Sequence, residues 1–341
     1  MIKKELLEIY EGKEVHKYTL TDGITVVLTD IGARIISILA PDKNGKMTDV
    51  LLGFNDVDGM LKRSSYMGAT VGRSANRIGN GGVIEINGKT YQLTDNGNGA
   101  HKHGGVVGFD KKMFATEIDE KSNSVTMTCE SADGDEGYPG NLKLSVKFTV
   151  KGGKVIIEYF AVCDKDTILN PTNHAYFNLN GESDGSILDN VVQINADAYL
   201  PMNETFVTTG VVKKVDGTPF DFRKPKTIGR DIEADDEDLK IAGGYDHNFC
   251  LADEHFATAY STKTGIQLDC YTDMPGVQFY VGNSLKGREG KSVYPKRSGF
   301  CFETQFYPDA IHKLALGWKS PILKKGENFY SKTEYEFSVR K

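Results

Sequence analysis

Leu142 to Val150 reads LKLSVKFTV, and in it apolar and polar residues alternate without a break. Successive side chains of a strand point to opposite faces, so this period of two predicts a β-strand with one face buried and the other wet. The same alternation recurs in VTMTCE from Val125 and in EYEFSV from Glu334. VIIEYFAV from Val155 is nearly continuous in apolar residues, which predicts a strand covered on both faces. Among the strand-like runs stand Asp22-Gly23, Asn44-Gly45, Asn87-Gly88 and Gly152-Gly153. Such pairs supply the positive φ angles of tight hairpins, so they predict antiparallel neighbours. Helix is predicted only in short polar pieces, Asp56 to Lys62 and the acidic segment Asp231 to Lys240, whose acidic residues read as solvated surface.

No period of roughly 20 to 50 residues, no Pro- or Ser-rich linker and no shift in composition divides the chain. The expectation is one domain over residues 1–341, all-β, a large antiparallel β-sandwich with few short helices. Its 341 residues, 39% hydrophobic and 26% charged, are enough to build such a core. A site is expected on a concave sheet face, completed by loops at its rim.

A formal net charge of -6 lacks the basic footprint of a nucleic-acid or acidic-membrane binder, which points to a small, neutral partner. No uncharged apolar run approaches the roughly 20 residues that cross a bilayer. The opening MIKKELLEIYEGKEVHKY has no apolar stretch of signal-peptide length, so a cytoplasmic protein is expected. The five cysteines are scattered, without a Cys-x-x-Cys pair, and are expected as reduced, mostly buried thiols.

Four segments carry polar residues that a sandwich pattern does not demand. GRSANRIGNGG holds Arg73, Asn76 and Arg77 among glycines; taken alone these are surface arginines or a weak phosphate cradle. NGAHKHGG holds His101 and His103, which two residues apart on an extended strand would share a face; a plain loop, a sugar-binding or catalytic histidine and a two-histidine metal site all stay open. NPTNHAYFNL sets Asn173, His174, Tyr176 and Asn178 after Pro171, a composition suited to a polyhydroxylated ligand or to a buried, satisfied histidine. GGYDHNFC and FCFETQFYPDA place Asp246 and Glu303 inside apolar runs, and an unpaired buried carboxylate is too costly to be incidental.

In chain order, GRSANRI, HGG, TNHAYFNL, ADAYLPMNETFVTTG, GTPFDFRKP, GYDHNFC, PGVQFYVGN and ETQFYPDA closely resemble the aldose 1-epimerases, or galactose mutarotases, over essentially the whole chain. The resemblance implies the β-sandwich of that family and interconversion of the α and β anomers of a free aldose such as galactose or glucose, without cofactor or metal, by a monomer or homodimer. It implies Glu303 as general base, His174 as general acid and His103 as a second histidine at the sugar ring. Asn76, Arg77, Asp246 and Gln278 are implied to hold sugar hydroxyls. Tyr176 reads from its own run either as apolar surface for a sugar face or, more commonly for such residues, as core. Two positions depart from the family pattern: Lys102, where an apolar residue is usual, and Ala175, where serine is usual.

Anomerisation needs a proton taken from the anomeric hydroxyl and one delivered to the ring oxygen. Ordinary pKa values near 4.3 and 6.5 would leave Glu303 ionised and His174 protonated beside it, so Glu303 is expected to own the acid limb of the pH profile and His174 the alkaline limb. A sugar-phosphate epimerase would need a cationic pocket, for which Arg73 or Lys102 are candidates. A glycoside hydrolase would use Asp246 and Glu303 as its two carboxyls. A non-catalytic sugar-binding domain would not require Glu303 and His174 together.

Overall fold

The computed structural model describes residues 1–63 and 65–340. The strand Leu142–Lys151 buries Leu142, Leu144, Val146, Phe148 and Val150 and turns the intervening residues outward. It lies between Ser124–Ser131 and Lys154–Cys163 in an antiparallel sheet of nine strands. Phe329–Val339 continues that sheet, pairing with Lys154–Cys163 on one side and Ile266–Thr272 on the other. Two five-stranded antiparallel sheets accompany it. The N-terminal sheet runs from Lys3–Tyr10 to Met47–Asp49, and the other orders Lys213–Lys214, Ala198–Leu200, Asp246–Cys250, Gly276–Tyr280 and Cys301–Gln305 side by side. Val26 and Leu28 of the first, Phe249, Phe279 and Phe302 of the second, and Val146, Ile157 and Leu268 of the nine-stranded sheet meet in one continuous core. The architecture is the expected all-β sandwich with few short helices.

Each of the four predicted turn pairs joins consecutive antiparallel strands, and Asn87 and Gly88 both take positive φ. Asp56 caps the helix Val57–Lys62 by accepting from the Gly59 N–H, and Asp236 caps Glu237–Ala242; the acidic stretch ahead of Asp236 stays irregular. All five cysteines are free thiols, four of them buried. No described helix is long and apolar enough to cross a membrane.

The strand from Lys154 differs from its prediction. Val155, Ile157, Tyr159 and Ala161 are buried, but Phe160 and Val162 are each 39% exposed, so the strand is covered on one face only. An apolar residue does not enforce burial, because protein surfaces tolerate much apolar area; Phe160 shelters against Tyr330, ring centroids 5.3 Å apart.

Candidate active site

The five-stranded sheet with Asp246–Cys250, Gly276–Tyr280 and Cys301–Gln305 has two unlike faces. Asn248, Gln278 and Glu303 stand opposite one another across the three strands, as do Asp246, Tyr280 and Cys301 two residues along. Side chains at such positions share a face, so one face collects polar groups while Phe249, Phe279 and Phe302 point into the core. This alternation explains a carboxylate between phenylalanines: Phe302 packs inward and Glu303, 2% exposed, faces a cavity.

Loops from three other places close over that face. Thr172–Asn173 pairs with Thr70–Val71, and the next backbone groups continue the pairing, Gly68 N–H to His174 carbonyl at 2.8 Å and His174 N–H to Ala69 carbonyl at 2.9 Å. Gly68, at φ +69°, is obligatory there, because a Cβ would sit 1.9 Å from the Ile35 carbonyl oxygen. The chain thereby brings Tyr66 over His174: their rings are nearly parallel at 5.8 Å, and Tyr176 stacks on the same imidazole at 5.0 Å. Arg34, buried, braces this segment through the Met60 and Met67 carbonyls. Arg77–Ile78 pairs with His101–Lys102, setting His103 beside Asn76. The Asn76 N–H donates to His103 Nδ1 at 3.1 Å, and the His103 N–H donates to the Asn76 carbonyl at 2.9 Å.

The result is a cavity of about 430 Å³ lined by Asn76, Arg77, Lys102, His103, His174, Tyr176, Asp246 and Glu303, with Tyr66, Phe206 and Tyr280 around them. His174 Nε2 and Glu303 Oε1 are 3.6 Å apart. Cys301 Sγ lies 3.5 Å from His174 Nδ1 on the other side of the ring. Glu303 Oε2 is buried and has no hydrogen-bond partner among the described residues.

Burial, seconded by the Asp246 charge and opposed by Lys102 and Arg77, raises the Glu303 carboxyl to about 8. Burial, then the Lys102 charge, lowers the His174 imidazole to about 3. Both groups are thus driven toward their neutral forms. Near neutrality the pair carries one proton in total, as carboxyl with imidazole or as carboxylate with imidazolium, so its two titrations belong to the couple. The sequence expectation of a fixed ionised Glu303 and protonated His174 is corrected: desolvation of the cavity outweighs their mutual attraction. Burial, followed by Lys102 and His174, also keeps His103 neutral, far below the ordinary imidazole value. Because His103 Nδ1 accepts a hydrogen bond, its proton resides on Nε2.

A family model described as aldose 1-epimerase matches residues 16–336. The chain belongs to the aldose 1-epimerase family. It is 42% identical to the human galactose mutarotase over 337 residues, covering 96% of this chain and 95% of that protein. It is 36% identical to the aldose 1-epimerase of Escherichia coli K12, with 96% of both chains covered. The crystal structure of a galactose 1-epimerase from Lactobacillus acidophilus superposes with a TM-score of 0.89 at 29% identity, covering 100% of this chain and 99% of that one. As an aldose 1-epimerase the protein is an isomerase of the mutarotase type, and its partner is a small sugar.

Of the site residues expected from the sequence and its aldose 1-epimerase resemblance, Asn76, Arg77, His103, His174, Tyr176, Asp246 and Glu303 line the one cavity. Gln278 does not. It stands behind Asp246, donating to Asp246 Oδ1 at 2.8 Å, and lines a small adjoining pocket instead. His101 and His103 do not share a face, because His103 leaves the strand at φ +50°. His101 is buried with Nδ1 at 2.7 Å from the Thr94 carbonyl and Nε2 at 2.6 Å from the Tyr138 hydroxyl. The histidine pairing open to a metal is not His101 with His103: His103, His174 and Glu303 offer ligand atoms within 4.8 Å of one another. His103 would have to surrender its Nε2 proton, or its bond from Asn76, to join a metal.

The glycines after His103 serve the fold rather than ligand access. A Cβ at Gly104 would lie 1.7 Å from the Gly72 carbonyl oxygen. Arg73 is neither on the surface nor in the cavity: it is buried and donates to Ser131, Ala132, Pro139, Gly140 and Thr167. Tyr66, Phe206 and Tyr280 escaped the sequence reading, because an aromatic residue that lines a cavity has the same composition signal as one in the core.

Proposed function

We propose that the protein interconverts the anomers of free hexoses such as galactose and glucose, with Glu303 as base and His174 as acid. The observation that carries this reading is the 3.6 Å approach of His174 Nε2 to Glu303 Oε1, two buried groups facing one cavity. The anomeric hydroxyl and the ring oxygen share a single carbon, so adjacent acid and base atoms serve both at once. In its carboxylate form Glu303 takes the anomeric proton, the C1–O1 double bond forms, the C1–O5 bond breaks and His174 delivers a proton to O5. Rotation about C1–C2 exposes the other carbonyl face. Reclosure reverses both transfers and restores the enzyme's protons.

His103 presents a neutral N–H donor suited to a sugar oxygen, with no charge change required of it. Arg77 and Asp246 supply a donor fork and an acceptor for hydroxyls, and Gln278 acts through Asp246 by fixing its orientation. A monomer or homodimer fits this chemistry equally, because every lining residue named comes from one chain. Polarimetry of freshly dissolved α-galactose and α-glucose tests the reading: the enzyme should speed relaxation above the spontaneous rate, and failure with both sugars would sink it.

A further inference from the structure

A neutral sugar gives Arg77 hydroxyls to hold but leaves Lys102, the second cation on the cavity's inner strand pair, without a role. Arg77 and Lys102 are direct partners across the short strand pair. Their side chains therefore leave the ladder on the same side, into the cavity, while Ile78 and His101 turn the other way. Like charges directly opposite on a ladder repel. Neither cation has an ion-pair partner among the described residues: Lys102 Nζ has no hydrogen bond either and lies over the Tyr66 ring at 5.7 Å, and the Arg77 guanidinium, its Nε unsatisfied, lies over Phe206 at 5.0 Å. The cavity sets two carboxyls against them. Asp246, the carboxyl whose charge Arg77 feels most, also accepts from Gln278, and burial raises the carboxyls of both Asp246 and Glu303. Lys296 adds an exposed cation at the rim.

We propose that the Arg77–Lys102 pair binds a carboxylate on the substrate, so that this site takes hexuronates, aldoses whose C6 is a carboxylate, in preference to uncharged sugars of the same shape. Hexuronates keep a free anomeric centre, so the inference rests on the aldose 1-epimerase reading and changes only the substrate class. A cavity of about 430 Å³ admits a monosaccharide with such a group. A carboxylate suits the site better than a phosphate dianion: Arg73 is consumed by the fold, and the helix end at the cavity, Ala242 and Gly243, is the carbonyl end, which disfavours further negative charge.

The test compares kcat/KM for mutarotation of galacturonate, its methyl ester, galactose and galactose 6-phosphate at pH 7, by polarimetry or exchange NMR. The acid should exceed its neutral ester by roughly tenfold or more, as one partly desolvated ion pair supplies. Lys102→Met should collapse that acid-to-ester ratio toward one, and Lys102→Arg should restore it. An unmodified enzyme that favours the ester over the acid overturns the proposal without any variant, as does a ratio that Lys102→Met leaves unchanged. Galactose 6-phosphate turned over better than galacturonate would replace the carboxylate with a phosphate. Absence of catalysis on every sugar would instead remove the epimerase reading itself.

Discussion

Arg73 and Arg77 sit four residues apart in one motif, and His101 and His103 two apart in another, yet the members of each pair have opposite lives. Arg73 is buried with all its donors directed at protein acceptors, and both ring nitrogens of His101 are engaged. Arg77 Nε finds no acceptor among the described residues, and His103 keeps an N–H for the cavity. A satisfied buried polar group stabilises the fold. One left unsatisfied beside a cavity is waiting for a ligand, and the neighbouring satisfied residue holds it there.

The sharpest way to break this division is at Glu303, whose buried Oε2 is unsatisfied among the described residues. Glu303→Gln keeps shape and removes the base, so kcat should fall by about 10²-fold or more, measured by polarimetric relaxation. The same variant should be the more stable protein. The unfolded carboxyl ionises near its ordinary 4.5, whereas the folded one keeps its proton to about 8. Between those values the unfolded state binds fewer protons, so wild-type stability declines as pH rises through the window and Gln escapes the loss. Denaturant unfolding at pH 5 and pH 8 should show the Gln advantage growing with pH, to an order of a few kcal/mol. An advantage that shrinks with pH would contradict the assigned burial.

The arginine pair is the next test. Arg73→Ala should cost about 3 kcal/mol of stability, because it orphans several buried carbonyls, whereas Arg77→Ala should leave the melting temperature near wild type and weaken sugar binding. A large loss of stability in Arg77→Ala, with sugar binding retained, would dissolve the distinction. For the histidines, His101→Phe should act through stability and His103→Gln through turnover.

A smaller effect concerns pH. With one proton shared by Glu303 and His174, kcat/KM of the free enzyme should be flat around neutrality and fall as that proton leaves, near pH 8; the acid limb, where a second proton binds, lies toward pH 3. An alkaline limb near 6.5 would restore the assignment made from ordinary pKa values. Smallest of all, exhaustive chelation should leave turnover within about twofold, since His103 carries its proton on the nitrogen a metal would need. Loss of activity regained with zinc would show that the three-residue cluster binds metal.

Much of this was legible before folding was considered. Alternation in LKLSVKFTV and the four glycine turn pairs report local physics, the pleat of a strand and the sterics of positive φ, and each took its expected place. Glu303 was conspicuous for the same local reason, a carboxylate in an apolar strand. The outer face of the strand from Lys154 was misread because local pattern does not say what covers a face. Gln278 was misplaced because its distance from the cavity depends on Asp246, thirty-two residues earlier, standing in front of it.

The sequence by itself determined the antiparallel sandwich, which follows from periodicity and turn sterics, and its ordered motifs carried the resemblance to the family that the comparisons show. The tertiary structure alone decided which histidine of two and which arginine of two line the cavity, that Lys102 stands beside Arg77, and that burial raises the Glu303 carboxyl. Those outcomes depend on desolvation and on partners brought together from distant parts of the chain, quantities that no run of neighbouring residues encodes.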